Sequence, residues 1–404
     1  MNDDRQASLR KGSLATASFT VAHLINDSYP NLYPILLPEL MLLMHFGTAA
    51  AGLISTVTSL TTQLLQPFTG YWADRIGGRR FVVGGLIVGS VLTALALALA
   101  PTYGLLLVAL LLSGIGNGAF HPHASSIVGS LSRRYKGFGM SLFMIGGNLG
   151  RALAPVLAAG AFLLGGRIGL LAVAIPGLVM AGVMSWVLTP PPPPNPKTGP
   201  VLTPEFMAGM KEARNLLVVV GLRSMTTLST LTLIPIWWKS MGRPMTESAT
   251  MLSLLFIVGS LGNIAGGGLS DLFGAKPVLI GSAVFSSLAM ALFLATPKTT
   301  LSLVLVALLG GALYATGGVV MVFSQALFPN NRGMASGLTL GIGNTLGALG
   351  VSGIGVIADW RGPAAALWVT AVALILSVPF VLKLRYPSTV AAGRPGTPKV
   401  TAAR

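Results

Sequence analysis

The chain has 404 residues, of which 53% are apolar and only 9% charged, with a mean hydropathy of +0.77. Soluble domains carry about 25% charged residues, so a globular soluble protein is excluded and a polytopic membrane protein is indicated. A net charge of +16 would suggest nucleic acid in a soluble chain, and its meaning here depends on where the cations lie.

Residues 1–11 are polar and carry Arg5, Arg10 and Lys11; the apolar segment after them is too long and too polar for a cleavable leader, so it is expected to stay. Stretches of about 20 apolar residues, each able to cross a hydrocarbon core of roughly 30 Å, then recur along the chain. Twelve spans are predicted, at approximately 14–43, 49–73, 81–100, 104–130, 137–164, 167–189, 214–239, 247–270, 276–296, 300–328, 333–358 and 363–386. Between the sixth and seventh lies a polyproline run, Pro190 to Pro194, continued by Pro196, Pro200 and Pro204, which reads as an extended solvated spacer. The predicted organisation is an all-α membrane protein with a six-helix bundle over 1–189, a cytoplasmic linker over 190–212, and a second bundle with a cytoplasmic tail over 213–404.

The cations alternate with the loops. Arg167, Lys239, Arg243, Lys298 and Arg361 follow odd-numbered spans and Arg151 and Arg223 lie within spans; every other Lys and Arg falls in the amino terminus, the loops after even-numbered spans, or the tail. This bias places both termini in the cytoplasm. The basic charge then records topology and contact with anionic membrane lipids, and no nucleic-acid partner is expected. Cysteine is absent, which removes disulfides, thiolate catalysis and cysteine metal sites.

After span 2 the chain reads Gly70-Tyr71-Trp72-Ala73-Asp74-Arg75-Ile76-Gly77-Gly78-Arg79-Arg80, and after span 8 a degraded copy, Gly267-Gly268-Leu269-Ser270-Asp271-Leu272-Phe273-Gly274-Ala275-Lys276. Gly147-Asn148 is likewise answered by Gly343-Asn344, so the two sets of six spans read as a parallel repeat. Asp74 ends a helix whose dipole is already negative there, so it needs a partner elsewhere, such as Arg75, Arg79, Arg133, Arg134 or the amino end of another helix. The first copy resembles the loop motif of the major facilitator superfamily, Gly-x-x-x-Asp-Arg-x-Gly-Arg-Arg/Lys. That resemblance implies a twelve-helix transporter fold in which Asp74 caps span 11 near Gly333, and Asp271 faces Gly137 by pseudosymmetry. Gly70, Arg75, Gly77, Arg79, Arg80 and Gly274 complete the expected gating set.

A narrower likeness rests on His23-x-x-Asn26-Asp27, Leu65-Gln66-Pro67, Phe120-His121-Pro122, Gly146-Gly147-Asn148 and Phe323-Ser324-Gln325 with Arg332-Gly333-Met334. Together these resemble the fosmidomycin-resistance branch of bacterial drug exporters. The stretch from Gly150 through Ala154 and Pro155 is similar to the superfamily's antiporter motif, with Ala154 where the motif has Gly. His123 and Met144 stand where the branch carries Glu and Gln, so a proton carried by that Glu in relatives must be carried elsewhere here. The glycine runs around Gly114, Gly147, Gly150 and Gly341 are expected to mark surfaces where one helix moves against another, and most other glycines simple close packing.

Ionisable groups inside a bilayer are costly and presumptively functional. His23, Asn26 and Asp27 share one face of span 1, with Asp27 near mid-depth and Pro30, Pro34 and Pro38 breaking the helix beyond it. The His23–Asp27 pair is placed to exchange a proton; the alternative is an Asp held by hydrogen bonds for packing alone. Arg151 and Arg223 cannot shed their charge, so each must face an anion or water: either one is the counter-ion of Asp27, or they receive an anionic group of the cargo. Asn117, His121, Asn148, Tyr314 and Gln325 complete the predicted binding set, with Gln63 and Gln66 weaker candidates and Trp237 and Trp238 expected as interfacial anchors. No metal site is expected, because His23, His121 and His123 come with no carboxylate cluster at ligand spacing, and no cofactor is expected either.

No phosphate-binding loop appears, so ATP is not the direct energy source. The expected function is proton-coupled antiport that exports small drugs or metabolites, anionic or phosphonate-like ones among them, by alternating access. The alternatives are proton symport of a small polar or anionic metabolite and, from another class, an intramembrane enzyme, for which Asp27 with His23 is the only possible pair. A monomer in the bacterial inner membrane is expected, with protons, lipids and a small molecule as partners.

Overall fold

The computed structural model describes residues 2–63, 65–66, 68–69, 72, 78–131, 136–188, 211, 213–297, 299–327 and 332–384, and all regular structure among them is helical. Nine helices among these residues are long and apolar enough to cross a membrane. They coincide with spans 3 to 12, because Gly139–Val187 holds both span 5 and span 6. The two part at Gly165 and Gly166, where φ at Gly166 is 57°, a left-handed conformation that a side chain would resist. Span 2 is described as Thr48–Gln63.

Span 1 is broken where its prolines demand it. Helix Asn2–Ser28 passes through a 3-10 turn at Tyr29–Asn31 into helix Tyr33–Met44. Pro30 and Pro34 bring no N–H, so the carbonyls of Asn26 and Pro30 lose their helical donors. The neighbouring carbonyl of Asp27 accepts the Asn31 side-chain amide at 2.8 Å.

Two features depart from expectation. Span 10 is not one helix but two, Thr299–Tyr314 and Gly317–Leu327. The second piece has its Gly318 N–H capped by Asn263 Oδ1 of span 8 at 3.2 Å. Trp237 and Trp238 are not interfacial anchors. Trp238 is fully buried, stacks on Phe293 with ring centroids 6.0 Å apart, and donates Nε1–H to Glu247 at 2.7 Å.

The apolar core has the shape of a fork. At the end distal to the termini, one continuous cluster joins both sets of spans, with Leu36, Leu97 and Leu106 from the first six touching a mass that includes Ile234, Trp238, Leu255 and Phe293 from the last six. Toward the termini the core divides. Phe19, Leu86, Phe120 and Phe143 form one cluster within the first six spans, and Leu216, Leu279, Val319 and Phe323 another within the last six.

Polar seams repeat this asymmetry. Distally, Lys239 of span 7 pairs with Glu39 of span 1 at 2.7 Å. Ser55 meets Thr232 at 2.7 Å, and Thr56 meets Ser352 at 3.1 Å. Asp359, at the last turn of span 11, accepts the Thr48 and Ala49 N–H groups at 2.6 and 2.9 Å and also the Thr48 hydroxyl, capping the amino end of span 2. Nearer mid-depth, Asn344 donates to Gln63. Among the described residues no hydrogen bond joins the two sets of spans closer to the termini.

Candidate functional site

Where the core divides, span 1 presents His23, Asn26 and Asp27, all buried. Their one-turn spacing puts the imidazole and the carboxylate side by side, Nε2 to Oδ2 3.3 Å. Spans 4 and 5 complete the group. His121 Nε2 lies 3.2 Å from Asp27 Oδ1, and Arg151 reaches Oδ2 with Nη2 and Nε, each at 3.2 Å. Asn26 donates to the Asn117 carbonyl and to Oδ1 at 3.4 Å.

Close helix approach makes this assembly possible. A Cβ on Gly147 would sit 2.5 Å from His23 Nε2 and 2.9 Å from Asp27 Oδ2, and one on Gly150 or Gly146 would strike the span 1 carbonyls of Leu24 or Thr20. Spans 1 and 5 therefore meet backbone to backbone along this stretch. These glycines, like Gly114 and Gly118 against span 2, pack helices within the first six spans, whereas the seams between the two sets use Gly52 against Val351 and Gly355 against Thr48.

His23 also stacks on Phe143, with centroids 4.0 Å apart, and its Nδ1 lies 2.7 Å from the Phe143 carbonyl oxygen. The exposed parts of the cluster are His121 and Arg151, whose side chains are 22% and 28% accessible, while Asp27 beneath them is nearly sealed. The carboxylate is thus reached through the imidazole and the guanidinium rather than directly.

From the last six spans comes Arg223, which hydrogen-bonds Ser282 of span 9 at 3.0 Å and pairs with no carboxylate among the described residues. Tyr314, at the break in span 10, lies within electrostatic reach of both Arg223 and Arg151. Arg151 is the counter-ion of Asp27; Arg223 is not.

Other predicted residues fall outside this group. Asn148 is half-buried and makes no hydrogen bond among the described residues. The Gln325 side chain, together with Gly70, Asp74, Arg75 and Gly77, lies outside the described residues, as do residues 190–210 and 212. Arg79 is spent on Ser185, at 3.0 Å to its carbonyl and 2.8 Å to its hydroxyl. Asp271 is exposed and enters no ion pair among the described residues, and Gly274 ends span 8 with a φ of 87°. Pro155 lies inside the span 5 helix. His123 is buried against Phe81, away from His23.

Contrary to the reading from sequence spacing, ligand atoms of His23, Asp27 and His121 do lie within 4.8 Å of one another. Arg151 already places a permanent cation on that carboxylate and opposes a second one. Sequence reasoning missed Ser282, Asn263 and Asp359. The first two are single polar residues with no local signal, but Asp359 carries the same signal as Asp74, an acid at the wrong end of a helix dipole.

A family model for the Major Facilitator Superfamily matches residues 18–237 and 216–402. The chain belongs to this superfamily. Among curated superfamily relatives, the fosmidomycin resistance protein of Escherichia coli (strain K12) is 28% identical, covering 85% of this chain and 86% of that one. The uncharacterized transporter YfnC of Bacillus subtilis (strain 168) is 27% identical over 85% of this chain and 86% of its own. A probable 4-methylmuconolactone transporter of Cupriavidus pinatubonensis is 27% identical over 84% and 83%. Among solved structures, the nucleoside transporter NupG superposes with a TM-score of 0.78 at 16% identity, covering 92% of this chain and 99% of that one. A bacterial homologue of the lysosomal transporter Spinster, in an inward-facing occupied conformation, superposes with a TM-score of 0.77 at 18% identity, covering 92% and 96%. This superfamily member is thus a multi-pass membrane transporter.

Proposed function

We propose that this protein is a proton-coupled secondary transporter of small organic anions that works by alternating access. One observation carries the reading: Arg223, a cation within a predicted span, hydrogen-bonds the Ser282 hydroxyl and has no carboxylate partner among the described residues. A guanidinium in such a place is stabilised by an anion, and its planar fork suits a carboxylate or phosphonate. The fosmidomycin-resistance relative agrees with this class, fosmidomycin being a phosphonate. Asp27 with His23 is the proton-carrying pair in this reading, and Asn26, Asn117 and His121 surround it.

The fork in the core and the distal seams support a state closed at the distal end, which the charge bias in the loops identifies as the outer face. Reopening there requires Asp359 and the Glu39–Lys239 pair to release. Purified protein in proteoliposomes tests the assignment. Arg223→Ala is expected to lower uptake or efflux of phosphonate or carboxylate cargo at least tenfold with insertion unchanged, and full activity of that variant would sink the reading.

A further inference from the structure

We infer that the distal end of the first six spans holds a site for one phospholipid whose headgroup carries a primary ammonium, apart from the polar cluster on Asp27. A cavity of about 330 Å³ lies between the second helix of span 1 and the junction of spans 5 and 6, with Leu36, Leu40, Phe162 and Leu170 in its walls and Glu39 and Arg167 beside them. That volume far exceeds the roughly 30 Å³ of a water molecule, and walls this apolar do not hold ordered water. Leu42 of its lining is exposed, as are Leu163 and Leu164 next to Phe162. In a membrane protein such a surface faces hydrocarbon, so the cavity is open to lipid.

The two charged residues give the cavity a headgroup end. Glu39 stands at helical spacing from Leu36 and Leu40, which puts all three on one face. Its Oε1 accepts from Lys239 at 2.7 Å, and its Oε2 accepts no hydrogen bond among the described residues. Arg167 donates Nε to the Leu97 carbonyl at 3.1 Å and Nη2 to the Ala100 carbonyl at 2.8 Å, which holds the guanidinium against the end of span 3. Its Nη1 makes no hydrogen bond among the described residues. One acceptor and one donor, of opposite charge, are therefore left over at the same apolar cavity.

A phosphodiester accepts from a guanidinium, and an ammonium donates to a carboxylate. A phosphoethanolamine headgroup supplies both at once. A choline headgroup has no N–H to give Glu39, and a glycerol headgroup brings Glu39 an anion with no cation to answer it. Depth agrees with an amphiphile. Span 1 runs outward and span 6 inward, so Leu36 and Leu170 lie about one turn deeper than Glu39 and Arg167, charge at the interface and apolar wall toward mid-membrane.

Native mass spectrometry of the full-length protein tests this, with phosphatidylethanolamine, phosphatidylcholine and phosphatidylglycerol of identical acyl chains added in equal amounts. One phosphatidylethanolamine is expected to be retained roughly tenfold over either competitor, the yield of one charge-assisted hydrogen bond. Glu39→Gln and Arg167→Gln should each remove most of that excess. A phosphatidylethanolamine with a photoreactive acyl chain should label residues 36–43 and 162–170, and water-soluble phosphoethanolamine at the same concentration should not displace it. Equal retention of the three lipids means ordinary boundary lipid and overturns the inference, as does a preference for phosphatidylglycerol. Labelling confined to other spans, or displacement by the tailless headgroup, overturns it as well. Retention and labelling are read on the unaltered protein, so a variant that folds poorly leaves the test decisive.

Discussion

At the scale of single residues, the site depends on what is missing as much as on what is present. The hydrogen on Gly147 leaves room for the His23 imidazole and the Asp27 carboxylate against span 5. Gly147→Ala should push that pair off Arg151 and lower transport at least tenfold while the protein still inserts and stays monodisperse. Gly160→Ala, where a Cβ meets nothing within 4 Å, is the control and should transport normally. Proteoliposome flux beside size-exclusion profiles of both variants checks this, and a Gly147→Ala protein as active as its control would show that the pair tolerates displacement. His23, Asn26 and Asp27 were legible as a set because helical spacing puts them on one face. Their partner was not, because Arg151 and Arg223 are both intramembrane arginines and only the crossing of spans 1 and 5 distinguishes them.

Among helices, spans 2 and 11 make the most extensive contact between the two sets, with spans 5 and 8 next. Asp359 terminates span 11 in the wrong sense for its own dipole and in the right sense for the exposed N–H groups of span 2. Removing such a cap costs about 1 kcal/mol, roughly a fivefold change in a two-state population. Asp359→Ala should therefore open the distal end more often. Because the chain has no cysteine, a single Ser352→Cys placed at this seam reports it: labelling by a membrane-impermeant maleimide should rise several-fold when Asp359→Ala is added. Unchanged labelling would mean the cap does not hold the seam. The break in span 10 at Tyr314 escaped the sequence reading, since glycine pairs such as Gly317-Gly318 abound in these spans and only the Asn263 side chain singles this one out.

For the whole molecule, the forked core predicts that transport requires the distal contact to part. Glu39 and Lys239 form an exposed ion pair that by itself contributes less than about 1 kcal/mol, so disrupting it should slow flux only modestly. Tethering the same two positions should stop it. With Glu39→Cys and Lys239→Cys joined by a short bifunctional thiosulfonate, flux is expected to cease and to return on reduction; continued flux in the tethered protein would rule out opening at that end.

Composition and periodicity alone determined that the chain is a bundle of membrane helices, because a bilayer forces every span to be long, apolar and internally hydrogen-bonded. They also marked which few polar residues had to matter, since each is costly to bury. Which arginine neutralises Asp27, and where the two sets of spans touch, were decided only by the tertiary structure. Those depend on where helices far apart in the chain cross, and in spans this uniformly apolar one crossing differs from another by a glycine or a hydroxyl whose partner sits tens to hundreds of residues away.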